Sequence, residues 1–378
     1  MPKPSKKNNT CKLEYAGKES EKDILSGKGA ENLVTEGCFN VKNNAHGAQN
    51  LLIKGDNLPV LQTLIKMKNA RHAALTNTDG TTGARLIYID PPFSTMLKFR
   101  AKDNQHAYDD NKTGGVFIEF LRKRLILLRE LLSPNGSIYV HLDWKKAHYV
   151  KAVMDEVFGE ENFLNDIIWS YGGRGAKAIA NQFSRNHDII LWYKKGLGHI
   201  FNKISGEKRF AKGSGGFRQD EDGRWFKTAP RGDYTDGSIK ELEKAGRIYR
   251  TRNNTVRIKY FLREDENHII EDKLIGDVWD DIPDAMHISR AEKTGYPTQK
   301  PEALLNRVIS ASSTQGDIVL DAFAGSGTTL VTAEKLGRRW IGIDSGSLAI
   351  NTAKERLANL NGKGNEPVSF MFCRAKSK

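Results

Sequence analysis

The chain has 378 residues with 59 Lys and Arg against 46 Asp and Glu, a formal net charge of +13, so an anionic polymer is the expected partner. Its 38% hydrophobic content is enough for a large core. No run approaches the roughly 18 apolar residues of a membrane span, and no apolar segment follows the basic stretch Met1–Asn9, so neither insertion nor secretion is expected. The three cysteines, Cys11, Cys38 and Cys373, lie far apart with no Cys-x-x-Cys pair, which argues against a zinc site or a disulfide framework and for a reducing cytoplasm.

Residues 1–45 are polar, with scattered Gly, Lys and Asn, and read as a loosely ordered basic arm. Leu51-Leu52-Ile53 reads as a strand ending at Gly55-Asp56, followed by a helix patterned by Leu58, Leu61, Leu64, Ile65 and Met67. The apolar run Leu86–Ile89 leads into Asp90-Pro91-Pro92-Phe93, and the polar stretch 94–115 reads as a functional lid or a contact loop for the anionic partner. Ile118, Leu121, Leu125, Leu128 and Leu132 predict an amphipathic helix ended by Ser133–Gly136, with Arg122, Lys123 and Arg129 on its solvated face. A strand over 137–142, a helix over 144–158 and strands over 164–170 and 187–193 follow, the last two as a reversed hairpin at the sheet edge. From 196 to 292 the α/β rhythm fades into short segments in which basic and aromatic residues interleave, which predicts an inserted domain between a half at 46–195 and a half at 293–378. The second half opens with Tyr296-Pro-Thr-Gln-Lys-Pro-Glu302. A buried strand then runs through Asp321 into Ala322-Phe323-Ala324-Gly325-Ser326-Gly327-Thr328-Thr329, a helix ends near Gly337, and the strand Trp340–Ile343 delivers Asp344.

Two of these segments carry chemistry. In Asp90-Pro91-Pro92-Phe93 each proline removes a backbone N–H, so carbonyls and the Asp90 carboxylate form an acceptor-rich rim suited to an exocyclic amine, with Phe93 as a stacking face. The unit from Ile318 to Asp344 is a nucleoside-binding βαβ: glycines at the turn, and an acid about 20 residues on for a ribose hydroxyl. Leu330 stands where a dinucleotide fingerprint has its third glycine, and no Gly-Lys-Ser/Thr follows for a phosphate chain. A nucleoside without a polyphosphate is therefore expected, and S-adenosylmethionine fits.

Together these motifs resemble the amino-group DNA methyltransferases in the permuted, beta-class order, similar to site-specific adenine-N6 methyltransferases and to the Mod subunits of Type III restriction-modification systems. The Tyr296–Glu302 string strengthens the resemblance; Ala322 in place of the family's usual proline and Ser345-Gly346 in place of Asn-Pro depart from it. The resemblance implies a Rossmann-like α/β sheet with helices on both faces and S-adenosylmethionine as cofactor. It gives Asp90 and the Pro91 carbonyl the amine protons, with Pro92 and Phe93 completing the catalytic set. It puts Asp56 near the cofactor's adenine and Gly325 and Gly327 at its methionyl part. It gives Asp321 the ammonium, Lys300 the carboxylate and Asp344 the ribose, with Phe323, Ser326 and Thr328 in the same loop. It assigns target recognition in double-stranded DNA to the insert, where Arg218, Arg224, Trp225, Arg250 and Arg252 are the candidates for DNA contact.

No Pro-Cys occurs, which disfavours cytosine-C5 chemistry. Cytosine-N4 methylation, an RNA substrate, a nucleotide-dependent oxidoreductase and a noncatalytic nucleic-acid-binding subunit remain the alternatives. The absence of a Walker lysine motif or nuclease carboxylate cluster puts any restriction endonuclease on a separate chain, and the resemblance raises the expectation of a homodimer.

Overall fold

A computed structural model describes residues 12–40, 50–92, 98–100, 106–109, 114–172, 183–213, 216–360 and 367–376. The chain divides into two compact units, Met1–Asn202 with Asp277–Lys378, and Lys203–Gly276.

The larger unit is built on a ten-stranded sheet: β1 (Asn32–Phe39), β2 (Asn50–Lys54), β3 (Ala84–Ile89), β4 (Leu132–Leu142), β5 (Phe163–Ser170), β6 (His187–Lys194), β7 (Val278–Trp279), β8 (Ile318–Asp321), β9 (Arg339–Asp344) and β10 (Phe370–Lys376). Their spatial order is β1-β10-β2-β9-β8-β3-β4-β6-β5-β7. From β10 to β4 every pairing is parallel, whereas β6 is antiparallel to both β4 and β5, and β1 is antiparallel to β10. Parallel neighbours require crossovers. These are α1 (Asn57–Asn69), α2 (Gly114–Leu131), α3 (Ala147–Phe158), α5 (Thr328–Lys335) and α6 (Ser347–Ala358), with α4 (Glu302–Ser312) preceding β8.

Alternation along the strands explains why both faces are covered. Ile53, Ile87, Ile89, Ile138, Val140, Leu320 and Ile343 share one core with Val60, Leu64, Leu121, Leu125, Val150 and Met154 of α1 to α3. Their neighbours Leu52, Leu86, Tyr88, Tyr139, Val319 and Trp340 lie outside that core and are equally buried, as are Leu304, Leu305, Val308 and Leu330 of α4 and α5. Strands buried on both faces read as continuous apolar runs, which is why 86–89 and 318–320 were legible.

Four expectations need correction. Residues 12–40 are not a loose arm. They carry a helix at Glu21–Leu25 capped by Ser20, and β1, whose Asn32 pairs opposite Lys376. Arg122 is not solvated but 4% exposed, held by Glu119, Glu156 and the Glu19 carbonyl, while the Tyr15 hydroxyl donates to Glu119 at 2.5 Å. Ser133–Gly136 follows the end of α2 as expected but lies within β4, which starts at Leu132 and not at 137, as an irregularity in its ladder with β3. The reversed strand β6 lies inside the sheet, and the edge beyond β5 is the short β7, supplied from beyond the second unit.

The second unit starts later and ends earlier than the expected insert of 196–292. It holds a four-stranded antiparallel sheet (Arg218–Gln219, Trp225–Pro230, Val256–Phe261, Ile248–Arg250) and a three-stranded one (Arg263–Glu264, His268–Leu274, Ser205–Ala211). A helix at Asp236–Lys244, capped by Thr235, contributes the buried Ile239, and Phe226, Ile258, Ile269 and Ile270 are buried with it.

Candidate active site

Four carboxylates stand at the carboxyl ends of adjacent parallel strands: Asp56 after β2, Asp344 ending β9, Asp321 ending β8 and Asp90 after β3. This is the edge of an open α/β sheet at which ligands bind. All four line one cleft of about 940 Å³, near the top of the roughly 300–1,000 Å³ range of small-molecule sites.

Asp90 makes a 2.5 Å ion pair with Lys300 through Oδ2, and its Oδ1 is buried with no hydrogen-bond partner among the described residues. A buried carboxylate oxygen without a partner is costly, and one that lines a cleft suits a donor from a ligand. Pro91 and Pro92 also line the cleft; Phe93 lies outside the described residues, as does most of the expected lid. Lys300, expected on a cofactor carboxylate, lines the cleft and is ion-paired with Asp90. Its loop is pinned by Gln299, which accepts from Thr294 N at 2.9 Å and donates to Glu292 O at 2.7 Å; Thr298 adopts φ +63°, and Pro301 occupies the position before α4.

In the glycine turn, Gly325 and Gly327 have φ of +50° and +78°, and a Cβ on Gly327 would lie 2.8 Å from Ala353 Cβ on α6. Glycine is required there on both counts. Asp321 accepts from Thr329 Oγ1 at 2.6 Å and Phe323 N at 2.9 Å. Burial pushes its carboxyl up to about 7, against those hydrogen bonds and with help from the charges of Asp90 and Asp344. Asp344 accepts from Gly325 N at 2.9 Å and Gly346 N at 2.7 Å, and burial likewise raises it. Phe323, Ser326 and Thr328 line the same cleft. The missing third glycine has a structural answer: Leu330 packs against Gly342 of β9, where an added Cβ would collide with its methyls, so the small residue sits on the strand and not on the helix. Arg356 fastens the turn, donating to Ser326 O and Thr328 Oγ1 at 3.0 Å each and to Glu302 at 2.9 Å.

Asp56 caps α1 through Leu58 N at 3.0 Å and pairs with Arg124 at 2.9 Å. Arg124, which the sequence reading passed over, also donates to Asn57 at 2.5 Å and stacks 3.6 Å from the Phe120 ring centroid; burial lowers it to about 10 despite Asp56. Its only sequence signal was the four-residue step from Phe120, which puts both on one helix face. Also missed were Tyr88, Trp169, Tyr171 and Asp188, which line the cleft, and His141 behind them.

The five candidates for DNA contact all lie in the second unit. Arg218 is exposed over the Tyr249 ring at 4.7 Å. Arg224 pairs with Asp220 at 2.8 Å and Asp222 at 3.0 Å, and Arg250 with Glu243 at 2.9 Å. Trp225 donates to Glu264 at 3.2 Å, and Arg252 is exposed.

Carboxylates and a glycine turn at the carboxyl ends of the parallel strands, around one cleft, make a site that fits a nucleoside-type ligand. The N6/N4 family described as DNA methylase matches residues 84–355. The chain is 34% identical over 372 residues to the Type II methyltransferase M.EcaI of Enterobacter cloacae, covering 92% of this chain and 77% of that one. It is 28% identical over 272 residues to the DNA adenine methyltransferase YhdJ of Escherichia coli (72% and 75% covered). With the probable Type III HindVI Mod subunit of Haemophilus influenzae it shares 26% over 405 residues, 84% of this chain and 51% of the relative. The structure of an M1.HpyAVI–SAM complex aligns over 82% of this chain and all of that one, with a TM-score of 0.47 and 19% identity. The chain therefore belongs to the N6/N4 DNA methylase family, whose reaction is methylation of an amino group in DNA.

Proposed function

We propose that this protein transfers the methyl group of S-adenosylmethionine to N6 of a flipped adenine in double-stranded DNA. The Oδ1 of Asp90, with no partner among the described residues, carries this reading: an acceptor oxygen at the cleft, beside two prolines that offer no N–H, suits the proton of an aryl amine. Such a bond would draw the nitrogen toward tetrahedral geometry and aim its lone pair for in-line displacement: the N–C bond would form as the C–S bond breaks, the thioether would leave as S-adenosylhomocysteine, and the proton of the methylated amine would pass to Asp90 or to water. Asp321 meets the cofactor's ammonium, Asp344 its ribose hydroxyls, and the positive-φ glycines let the backbone approach it. Adenine is favoured over cytosine-N4 by the name of YhdJ, a DNA adenine methyltransferase.

The second unit reads the target through Arg218, Arg224, Trp225, Arg250 and Arg252. The name of the HindVI relative, a restriction-modification Mod subunit, supports a role in such a system; a nuclease on a separate chain and a homodimeric assembly are part of the same proposal. Expression in a methylation-free host followed by sequencing of modified bases tests the reading. N6-methyladenine in one short motif is expected, lost by at least ~100-fold in Asp90→Ala. N4-methylcytosine would replace the adenine assignment, and undiminished transfer by Asp90→Ala would remove the role given to Asp90.

A further inference from the structure

The cleft has a basic rim that the methyl-transfer chemistry leaves unused. Trp144 follows the carboxyl end of β4 and Arg185 precedes β6, where Leu142 pairs with Ile189, so the two meet at the end of one strand pair. The Arg185 guanidinium lies over the Trp144 ring, 5.2 Å from its centroid, and Lys145 Nζ lies 5.7 Å from the same centroid. Trp144 is 37% exposed, a large share for an indole, and both cations are exposed. The same strand ends bound the cleft: Asp188 lines it, as does Tyr171, whose amide donates to Asn186 O at 3.0 Å, one residue from Arg185.

Neither Lys145 nor Arg185 pairs with a carboxylate among the described residues. The acids beside them in sequence are engaged elsewhere: Asp143 accepts from Lys146 N at 2.9 Å, and Asp188 lies 3.1 Å from His141 Nε2. In the second unit, by contrast, Arg224, Arg231, Arg250 and Arg263 are each paired with acids. A cation without a carboxylate gives its whole charge to a phosphate and releases that phosphate's counterion, whereas a paired one must first part from its acid. The indole adds order. A guanidinium resting on an aromatic face has already lost much of its freedom, while its N–H donors stay open to phosphate oxygens.

We propose that Arg185 and Lys145, held at Trp144, bind backbone phosphates of duplex DNA beside the nucleotide that enters the cleft, independently of sequence. This rests on the methyl-transfer reading above and adds to it a DNA contact on the larger unit. Phosphate contacts fix register and orientation without reading bases, so the rim holds the strand at the cleft whatever the motif.

The test is the affinity of the full chain for duplex DNA, read by fluorescence anisotropy across about 50–200 mM salt, on a duplex carrying the methylated motif and on one with that motif scrambled. Arg185→Ala and Lys145→Ala are each expected to lower the slope of log K against log salt by about 0.9, and the affinity at about 0.1 M salt by roughly five- to tenfold, equally on both duplexes. Arg185→Lys should keep the slope yet bind more weakly than the wild type. Trp144→Ala should weaken binding less in an Arg185→Ala background than in the wild type, because it acts largely through Arg185. An unchanged slope in either alanine variant, a loss confined to the motif-bearing duplex, or an equal effect of Trp144→Ala with and without Arg185 would overturn the proposal. A wild-type urea midpoint shows that a variant is folded; if Trp144→Ala is not, the Arg185 and Lys145 variants decide alone. A wild-type protein that binds no duplex DNA would instead sink the reading on which the proposal rests.

Discussion

The Asp321 carboxyl gives the proposed cofactor site a pH dependence whose sign can be worked out. Its titration near pH 7 follows from burial at 2% exposure, which disfavours the charged form more than Thr329 and the Phe323 amide restore it, with Asp90 and Asp344 adding like charge. A cationic α-ammonium binds the ionised form, so affinity for S-adenosylmethionine rises as pH rises through that range and falls in acid. From pH 5.5 to 7.0 the ionised fraction grows from about 0.03 to about 0.5, so the Kd should fall roughly 15-fold. Over this window the cofactor's own α-amino group, with a pKa of roughly 7.7–8.0, stays protonated. Asp321→Asn keeps one of the two acceptors, for Thr329 or for the Phe323 amide, and removes the charge. It should flatten the profile and weaken binding at pH 7.0 by ~10-fold or more, the loss of one charge-assisted hydrogen bond of about 1.5–3 kcal/mol. Titration calorimetry at constant ionic strength measures both, and binding below pH 7 should also release protons to the buffer. A Kd that is flat from pH 5.5 to 7.0 in the wild type, or the same slope in Asp321→Asn, would refute the assignment.

Gly342→Ala should destabilise the larger unit by about 1–3 kcal/mol, because its methyl has no space beside Leu330. In a Leu330→Ala background the same change should cost less than ~1 kcal/mol, and additive losses in urea denaturation would contradict the packing described. Arg252→Ala should lower the slope of log K against log salt for DNA binding by about one. Arg224→Ala should lower it less, because Asp220 and Asp222 already neutralise Arg224. An unchanged slope in filter-binding or anisotropy titrations removes Arg252 from the interface.

By itself, the amino-acid order determined the parts whose physics is local. The apolar runs at 86–89 and 318–320, the glycine turn at 325–327 and the acids that end those strands are set by burial on both faces and by backbone φ, which neighbouring residues decide. Only the tertiary structure decided what depends on strand order. It pairs β1 with a strand some 340 positions away, Asn32 opposite Lys376, so a segment too polar to read as a strand becomes one by completing a ladder. Placing Val319 beside Leu86 brings Asp321 and Asp90 to one cleft, and laying β4 and β6 beyond them lines up Tyr88, His141 and Asp188. The same packing sends Lys300 to Asp90, and Arg124 to Asp56 and Asn57. None of these pairs shares a periodicity or a spacing; they are made by which edges meet, and that choice belongs to the whole sheet.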